Sequence, residues 1–415
     1  MGEIFSGQPS FHLQWHTGYD NLFSIQIQVF IDLKHKKSRI AMKIAILGYG
    51  TIGSGVDKII SSQTNQTKTL TVTRLLTRPA DVAVDPRATS DIAELLADPD
   101  LDAVVETMGG IEPAHTYIMQ ALNAGLHVVT ANKAVVARYL REFSEAAAAN
   151  QVHFYYEATT GGGIPWLKNL ENAARVDDVS SVSGIFNGTS NYILDQMSKT
   201  GADFEDALAQ AQALGYAEKD PTADVDGIDV ANKLRISSAI AYNASPDFAL
   251  PTIGIRHVTA ADIKWADDHD LAIRLIGSSV RDHHRFTAVI APTLVPKHSL
   301  EANCPDNFNL IRLVGDTIGE LQFFGQGAGQ LPTAHAIIQD LLDIDQNVPH
   351  LSRHFNRDLF NDAELMRGTW LWRDAEGWQT LENTTAGEIS VRLARDSQAS
   401  AYRLASEVSI DDDSF

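Results

Sequence analysis

Met42-Lys43-Ile44-Ala45-Ile46-Leu47-Gly48-Tyr49-Gly50-Thr51-Ile52-Gly53 is the stretch that decides the fold. An apolar strand-like run ends in GxGxxG, and helix-compatible sequence continues to about residue 61. In a strand–turn–helix of this kind the first glycine permits the tight turn and the second lets backbone amides approach a pyrophosphate. The third lets the helix pack against the strand. The positive end of the helix then faces the phosphates. GxGxxG by itself is weak evidence, because glycine turns are common. Its weight comes from the segments on its carboxyl side. Apolar runs at 70–76, 102–106, 126–130 and 152–156 read as buried strands, and 52–61, 91–97, 112–124 and 134–149 as helices. That alternation predicts a parallel sheet with helices on both faces.

The expected class is therefore α/β, a doubly wound Rossmann sheet with a second domain of different texture after it. After about residue 158 come Gly161-Gly162-Gly163, a helix from near Pro165, a strand at 179–186, and helices near 189–199, 203–214 and 227–243. Strands are expected at 271–279, 286–295 and 310–314, which together describe a second, α+β domain. A closing helix spans Pro332 to Ile344, with proline in its first turn. The expected division is 42–157 plus 325–345 for the nucleotide-binding domain and 158–324 for a substrate-binding domain. Residues 346–415 form an appendage of little periodicity, holding Trp370, Trp372 and Trp378. Residues 1–41 mix aromatics, glutamines and a basic run without a period, so they read as an extension outside the core, with Met42 as the functional start. An ordered strand around 24–31 is the alternative.

Length and charge narrow the function classes. The 415 residues, 44% hydrophobic, exceed one small core. A net charge of -20 repels phosphate backbones and anionic lipid, which disfavours nucleic-acid and membrane partners. The single cysteine, Cys304, excludes an intramolecular disulfide and a cysteine-rich zinc site, as expected of a cytoplasmic enzyme. No run reaches the roughly 18 apolar residues of a membrane helix. Phe23 to Leu33 is interrupted by Gln26, Gln28 and Asp32 and lacks a cleavage site after it.

Several charged residues carry chemistry in their placement. The second strand ends in Thr77-Arg78, where an NAD site usually offers a carboxylate to the ribose. A guanidinium there favours NADP, with Arg78 on the 2′-phosphate. A solvated arginine at a strand end is the alternative, so NAD stays open. Asp229 and Lys233, four apart in a helical stretch, share one face. On a solvent face they would form only a weak surface pair. The acids just before them change that reading: Glu218, Asp220, Asp224, Asp226 and Asp229 crowd one loop-to-helix segment. Such a cluster is solvated, binds a cation or receives an ammonium group, which a zwitterionic substrate would supply. The spacing lacks an EF-hand pattern, so a divalent metal is disfavoured. A lysine takes a hydroxyl proton if its surroundings lower its pKa. Lys133 and Glu157 lie just after strand ends, where parallel sheets face their ligands.

Longer motifs are more specific. Val105-Glu106-Thr107-Met108-Gly109-Gly110 precedes Val128-Val129-Thr130-Ala131-Asn132-Lys133-Ala134, then Tyr156-Glu157-Ala158-Thr159. Gly184-Ile185-Phe186-Asn187-Gly188-Thr189-Ser190-Asn191, Leu214-Gly215-Tyr216-Ala217-Glu218 and Gly227-Ile228-Asp229-Val230-Ala231-Asn232-Lys233 come next, with Gly327-Ala328-Gly329 near the end. In order and spacing these motifs resemble the homoserine dehydrogenase family over roughly residues 42–345. The resemblance implies NAD(P)-dependent interconversion of L-homoserine and L-aspartate 4-semialdehyde in threonine, methionine and isoleucine biosynthesis. It also implies a homodimer built through the second domain.

Family roles fall on matching positions. Lys233 corresponds to the proton donor and acceptor, Lys133 to a second active-site lysine between the nicotinamide and the reacting carbon, and Asp229 to the acid that positions the site around Lys233. Glu218 and Asp224 resemble the carboxylates holding the substrate's amino group, and Gly188 and Thr189 line its pocket. Thr107, Lys133 and Gly329 resemble residues near the bound cofactor, which adds them to Gly48, Gly50, Thr51, Ile52 and Gly53 of the glycine turn and Arg78 at the strand end as the expected cofactor-binding set. Glu157, Thr160, Gly162 and Ile164 correspond to a monovalent-cation site, for an ion such as Na+, built mainly from carbonyls; Thr160 replaces the usual apolar residue. Residues 346–415 do not resemble the regulatory ACT domain of many members, so the chain reads as a short form. Two rivals are weaker. A dehydrogenase acting on the semialdehyde by thioester chemistry needs a nucleophilic cysteine, and Cys304 lies in a turn-like Asn-Cys-Pro. A non-catalytic cofactor sensor needs neither lysine.

Overall fold

The computed structural model describes residues 41–245, 247–248, 250–348 and 355–410; the expectations for residues 1–40, including the alternative strand at 24–31, lie outside these. Strand β1, Met42–Leu47, is buried on both faces. Ile44 and Ile46 point into one core and Ala45 and Leu47 into the other. This two-sided burial explains a continuous apolar run where a half-exposed strand would alternate. Around it lie β2 Leu70–Leu76, β3 Ala88–Thr89, β4 Ala103–Glu106, β5 His127–Thr130 and β6 Phe154–Tyr155. All pair in parallel, in the order β3-β2-β1-β4-β5-β6. The order reverses between β1 and β4, which opens a crevice at the carboxyl ends of those strands.

Helices cover both faces. Helices Thr51–Ser61 and Gln330–Asp345 bury Val56, Ile60, Ala334, Ile337 and Leu341 against Ile44 and Ile46. On the other side, helices Ala114–Asn123 and Lys133–Ala149 pack Ile118, Leu122, Val135 and Phe143 against Ala45, Leu47 and Val104. Each of these larger apolar side chains contributes roughly 1.5–3 kcal/mol by leaving water. The helix from Gln330 thus returns the chain to the first sheet after the second has been built.

The second sheet has nine strands. β7 Val179–Ile185, β8 Leu271–Asp282, β9 Arg285–Pro296, β10 Phe308–Gly315 and β11 Gly319–Gln326 form its antiparallel part, in the order β11-β10-β7-β8-β9. Helix Ile228–Tyr242 lies among the buried elements beside it, with Val230, Leu234, Ile236 and Ile240 all in the core. A helix buried on so many sides carries few polar positions to spare. The buried Asp229 and Lys233 on it are therefore conspicuous.

Residues 346–415 differ from the sequence expectation. They contain β12 Phe360–Asn361, β13 Gly368–Asp374, β14 Gly377–Thr384, helix Ala386–Leu393 and β15 Ser400–Leu404. β15 runs parallel to β9, with Arg403 opposite Thr293, and β13 and β14 continue outward from it. The segment therefore extends the second sheet. Its periodicity is hidden because Trp370, Leu371 and Trp372 are all buried, which leaves no polar alternation to read. Arg373 anchors the segment, donating to the His257 carbonyl and to Ser400 and pairing with the fully buried Asp262. The expected strand at 152–156 is reduced to Phe154–Tyr155, and β3 and β11 are strands beyond the expected set. Among the described residues no helix is long and apolar enough to cross a membrane.

Candidate active site

Two lysines from different domains meet one carboxylate. Lys133 opens the helix after β5, and Asp229 and Lys233 lie one turn apart in helix Ile228–Tyr242. Lys133 Nζ stands 2.8 Å from Asp229 Oδ1 and Lys233 Nζ 2.8 Å from Asp229 Oδ2. Lys233 Nζ also donates to the Phe186 carbonyl at 2.7 Å, and Asn309 donates to the same oxygen. Asp229 and Lys233 are buried, whereas the side chain of Lys133 is 43% exposed.

The electrostatics derive from this arrangement. Burial pushes Asp229 up, but the ammonium groups of Lys133 and Lys233 outweigh it and hold the carboxyl well below its usual range. Asp229 holds the pKa of the half-exposed Lys133 above that of an ordinary lysine. Burial lowers Lys233, and Asp229 only partly opposes the shift. One carboxylate thus sits between a firmly charged lysine and a lysine that gives up its proton more readily.

Asn187 connects this trio to the acidic run. Its Nδ2 donates to Asp224 Oδ1 at 2.7 Å and to Asp229 Oδ2 at 2.8 Å, while its Oδ1 accepts from Ser190 N and caps helix Gly188–Thr200. Burial raises Asp224. Gly188 and Thr189 form the first turn of that helix, and Thr189 Oγ1 donates to the Tyr216 carbonyl. Glu218 is exposed and adds to the field that keeps Lys133 charged. Sequence reasoning assigns Asn187 no role, although it stands inside one of the family-like motifs. Its one signal in the sequence is its place directly before Gly188-Thr189, a helix-capping position.

Of the residues expected on the cofactor side, Gly48, Gly50, Arg78 and Thr107 line a cleft of about 890 Å³ running from Gly48–Gly50 past Leu75–Pro79 to Thr107–Gly109, and Thr51, Ile52, Gly53, Lys133 and Gly329 are not in its lining. Gly48 has φ +92, and a Cβ there would meet Met108 at 2.8 Å. A Cβ on Gly53 would lie 2.2 Å from the Gly48 carbonyl oxygen, so helix and turn touch directly. A Cβ on Gly50 would meet nothing, leaving its backbone open to the cleft. Thr51 is exposed at the helix start, Ile52 packs on the core below, and Thr107 Oγ1 holds the Gly48 carbonyl at 2.6 Å. Gly329 precedes helix Gln330–Asp345, whose Gln330 donates to the Thr51 carbonyl. Arg78 is 86% exposed at the rim and pairs with Asp81, at 2.9 Å. Arg87 is engaged by both Asp57 and Asp85.

Glu157, Thr160, Gly162 and Ile164 lie in one turn between β6 and helix Trp166–Ala173. The Glu157 carboxylate accepts from Leu167 N and Lys168 N, capping that helix, and burial pushes its pKa up to about 7. Thr160 is fully buried with its hydroxyl unpartnered, Gly163 N donates to the Gln326 carbonyl, and Ile164 N donates to the Gly161 carbonyl to close a tight turn. Residues 157–162 of this turn are all buried, and Glu157 N donates to the Asp340 carboxylate.

The comparisons agree with this geometry. A family model described as the homoserine dehydrogenase NAD-binding domain matches residues 48–157, and one described as homoserine dehydrogenase matches residues 165–342. The homoserine dehydrogenase of Synechocystis sp. is 40% identical over 318 residues, 73% of each chain, and that of Bacillus subtilis 36% identical over 321 residues, 74% of each. The crystal structure of the Thiobacillus denitrificans enzyme superposes with a TM-score of 0.79 at 31% identity, covering 88% of this chain and 98% of that one. A hyperthermophilic archaeal homoserine dehydrogenase solved with NADPH shares the fold, with a TM-score of 0.65 at 23% identity over 75% of this chain and 100% of that one. With a dinucleotide cleft, a lysine–aspartate–lysine cluster and relatives matching most of its length, this chain belongs to the homoserine dehydrogenase family of NAD(P)-dependent oxidoreductases.

Proposed function

We propose that Lys233 exchanges the proton of the homoserine hydroxyl, with Asp229 and the Phe186 carbonyl fixing its amino group. The observation that carries this reading is the single carboxylate of Asp229 at 2.8 Å from both lysines. Two N–H bonds of Lys233 are committed, one to Asp229 and one to Phe186. The remaining tetrahedral position is a lone pair when the amine is neutral and an N–H when it is charged. A proton taken by that position leaves the substrate oxygen as its C–H bond breaks, and the aldehyde forms. Burial lowers the pKa of Lys233, which favours the neutral form that accepts the proton. The bound nicotinamide supplies the hydride acceptor, or the donor in the reverse direction.

Lys133, held charged and half exposed, carries the second ammonium at the cofactor side of the site. Glu218 and Asp224 receive the substrate's amino group, and Gly188 and Thr189 wall its pocket. Gly48, Gly50, Thr51, Ile52, Gly53, Thr107 and Gly329 surround the dinucleotide. In this division residues 42–157 with 325–345 hold the cofactor and 158–324 the substrate. NADP is the favoured cofactor, because Arg78 is exposed at the rim and needs only to release Asp81 to meet a 2′-phosphate. The carbonyls of Glu157, Thr160, Gly162 and Ile164 hold a monovalent cation such as Na+. The enzyme is read as a cytoplasmic homodimer, which sedimentation of the purified protein tests.

The assay is direct. Purified protein with homoserine and NADP+ or NAD+ at alkaline pH should raise absorbance at 340 nm. Lys233→Ala should cut kcat by about a hundredfold or more, the scale of lost acid–base help, while cofactor still binds. Turnover near the wild-type rate in that variant would remove the role of Lys233.

A further inference from the structure

We infer that Glu106 is a positioning residue that fixes the cofactor-side loop and the start of the Lys133 helix as one unit. The inference rests on the reading of Lys133 as an active-site lysine. Glu106 ends β4, opposite Thr130 at the end of β5, and it is completely buried. Its Oε1 accepts from Met108 N at 2.7 Å and from Asn132 Nδ2 at 3.5 Å, and its Oε2 accepts from Thr130 Oγ1 at 2.5 Å. The Gly109 amide donates to it as well. All of these partners are neutral.

A carboxylate buried among neutral donors is costly to desolvate, and burial raises its pKa accordingly. The position is informative because of what those donors carry. Met108 and Gly109 belong to the loop Thr107–Gly110, which lines the cofactor cleft and turns through two residues with positive φ, Gly109 and Gly110. Asn132 Nδ2 also donates to the Gly110 carbonyl at 2.7 Å, and its Oδ1 accepts from Val135 N to cap the helix that Lys133 begins. Thr130 Oγ1 accepts from Asn132 N at 3.0 Å. One side chain therefore sits behind both the loop on the cofactor side and the residue next to Lys133. An acceptor-only group suits this place. A glutamine would turn an NH2 toward at least one of the converging donors.

Glu106 touches neither substrate nor the reacting lysines in this arrangement, so its effect should split the kinetic constants. Glu106→Gln is expected to lower kcat by about tenfold or more, since small misplacements of reacting groups carry penalties on that scale. The KM for the dinucleotide should rise with it. The KM for homoserine should stay within about twofold, because the acids that hold the amino group come from the other domain. Thr130→Val, isosteric but without the hydroxyl, should show the same split, and Thr130→Ser should recover most of what Thr130→Val loses. The Thr130 pair carries the test alone if Glu106→Gln fails to fold.

Folded Glu106→Gln or Thr130→Val with wild-type kcat, differing only in Tm, would overturn the inference and leave Glu106 a structural residue. A parallel fall in kcat with an equal rise in both KM values would overturn it too. Lys133→Met separates this from the reading beneath. If that variant keeps wild-type kcat, the role of Lys133 fails first. If it is impaired while Glu106→Gln is not, only the role of Glu106 falls.

Discussion

Asp229 and Glu157 are both buried carboxylates, 4% and 9% exposed, yet their protons behave in opposite ways. Burial raises both, but two ammonium groups at 2.8 Å overcome it at Asp229. Glu157 has backbone amides for partners and Glu171 among its neighbours, and it is pushed up to about 7. The contrast teaches that amide hydrogen bonds at a helix start do not replace a full positive charge. A fixed anion in the reaction centre needs the lysines, and Lys233 in turn needs the anion to keep its proton affinity from falling further. At the Glu157 turn a carboxyl near neutrality is compatible with the proposed cation, since its proposed ligands are carbonyl oxygens.

The largest effect should come from taking the charge away from Asp229. Asp229→Asn keeps the shape but leaves two lysines with a neutral partner, and kcat is expected to fall by about a hundredfold or more. Asp229 raises the pKa of Lys233, so its loss should move the pH dependence of kcat to lower pH. Initial rates from pH 6 to 10, at roughly unit spacing, would show this. An unmoved profile would break the contrast on the Asp229 side.

Glu157→Gln probes the other carboxylate through stability. The folded pKa of about 7 lies above the ordinary value of 4.5. The folded protein therefore binds the proton more tightly than the unfolded chain, and Glu157 favours folding most below pH 4.5. That contribution is lost as pH rises toward 7, by about 3 kcal/mol in all. Urea unfolding across this window should find Glu157→Gln gaining on the wild type as pH rises. A constant difference would mean Glu157 carries its charge in the fold throughout. By the same reasoning Asp229, held low, contributes fully above pH 3.8 and loses its contribution only as pH falls below it.

Glu218 sharpens the comparison from the exposed side. It is exposed and outside the hydrogen bonds of the lysine–aspartate cluster, so its removal should act on binding alone. Glu218→Gln is expected to raise the KM for homoserine by about tenfold with little change in kcat, the size of one charge-assisted hydrogen bond. A fall in kcat without a change in KM would move Glu218 from holding substrate to shaping the reacting groups.

The dinucleotide half was legible because its constraints are local. A strand buried on both faces and a turn with no room for a Cβ at Gly48 or Gly53 leave their mark within twelve residues, Met42 to Gly53. The Asp229–Lys233 pair was legible in its four-residue spacing, but that Lys133 joins it was legible only through motif resemblance. Lys133 and Asp229 come together by domain packing, which no periodicity encodes. Asn187 and Glu106 stand inside recognisable motifs, but their roles depend on partners far along the chain. The strands after residue 360 escaped because Trp370, Leu371 and Trp372 are buried on both faces, while β14 is a largely polar edge. Arg78 was expected on a phosphate, and its pairing with Asp81 could not be read from a strand-end position.

A crystal structure of the enzyme with an oxidised nicotinamide dinucleotide and homoserine would test the central claim most directly. The predicted result is a substrate hydroxyl within roughly 2.6–3.2 Å of Lys233 Nζ, on the side left free by Asp229 and Phe186, with Lys133 in the same cavity. A homoserine hydroxyl directed away from Lys233, with that amine still bonded only to Asp229 and the Phe186 carbonyl, would contradict it.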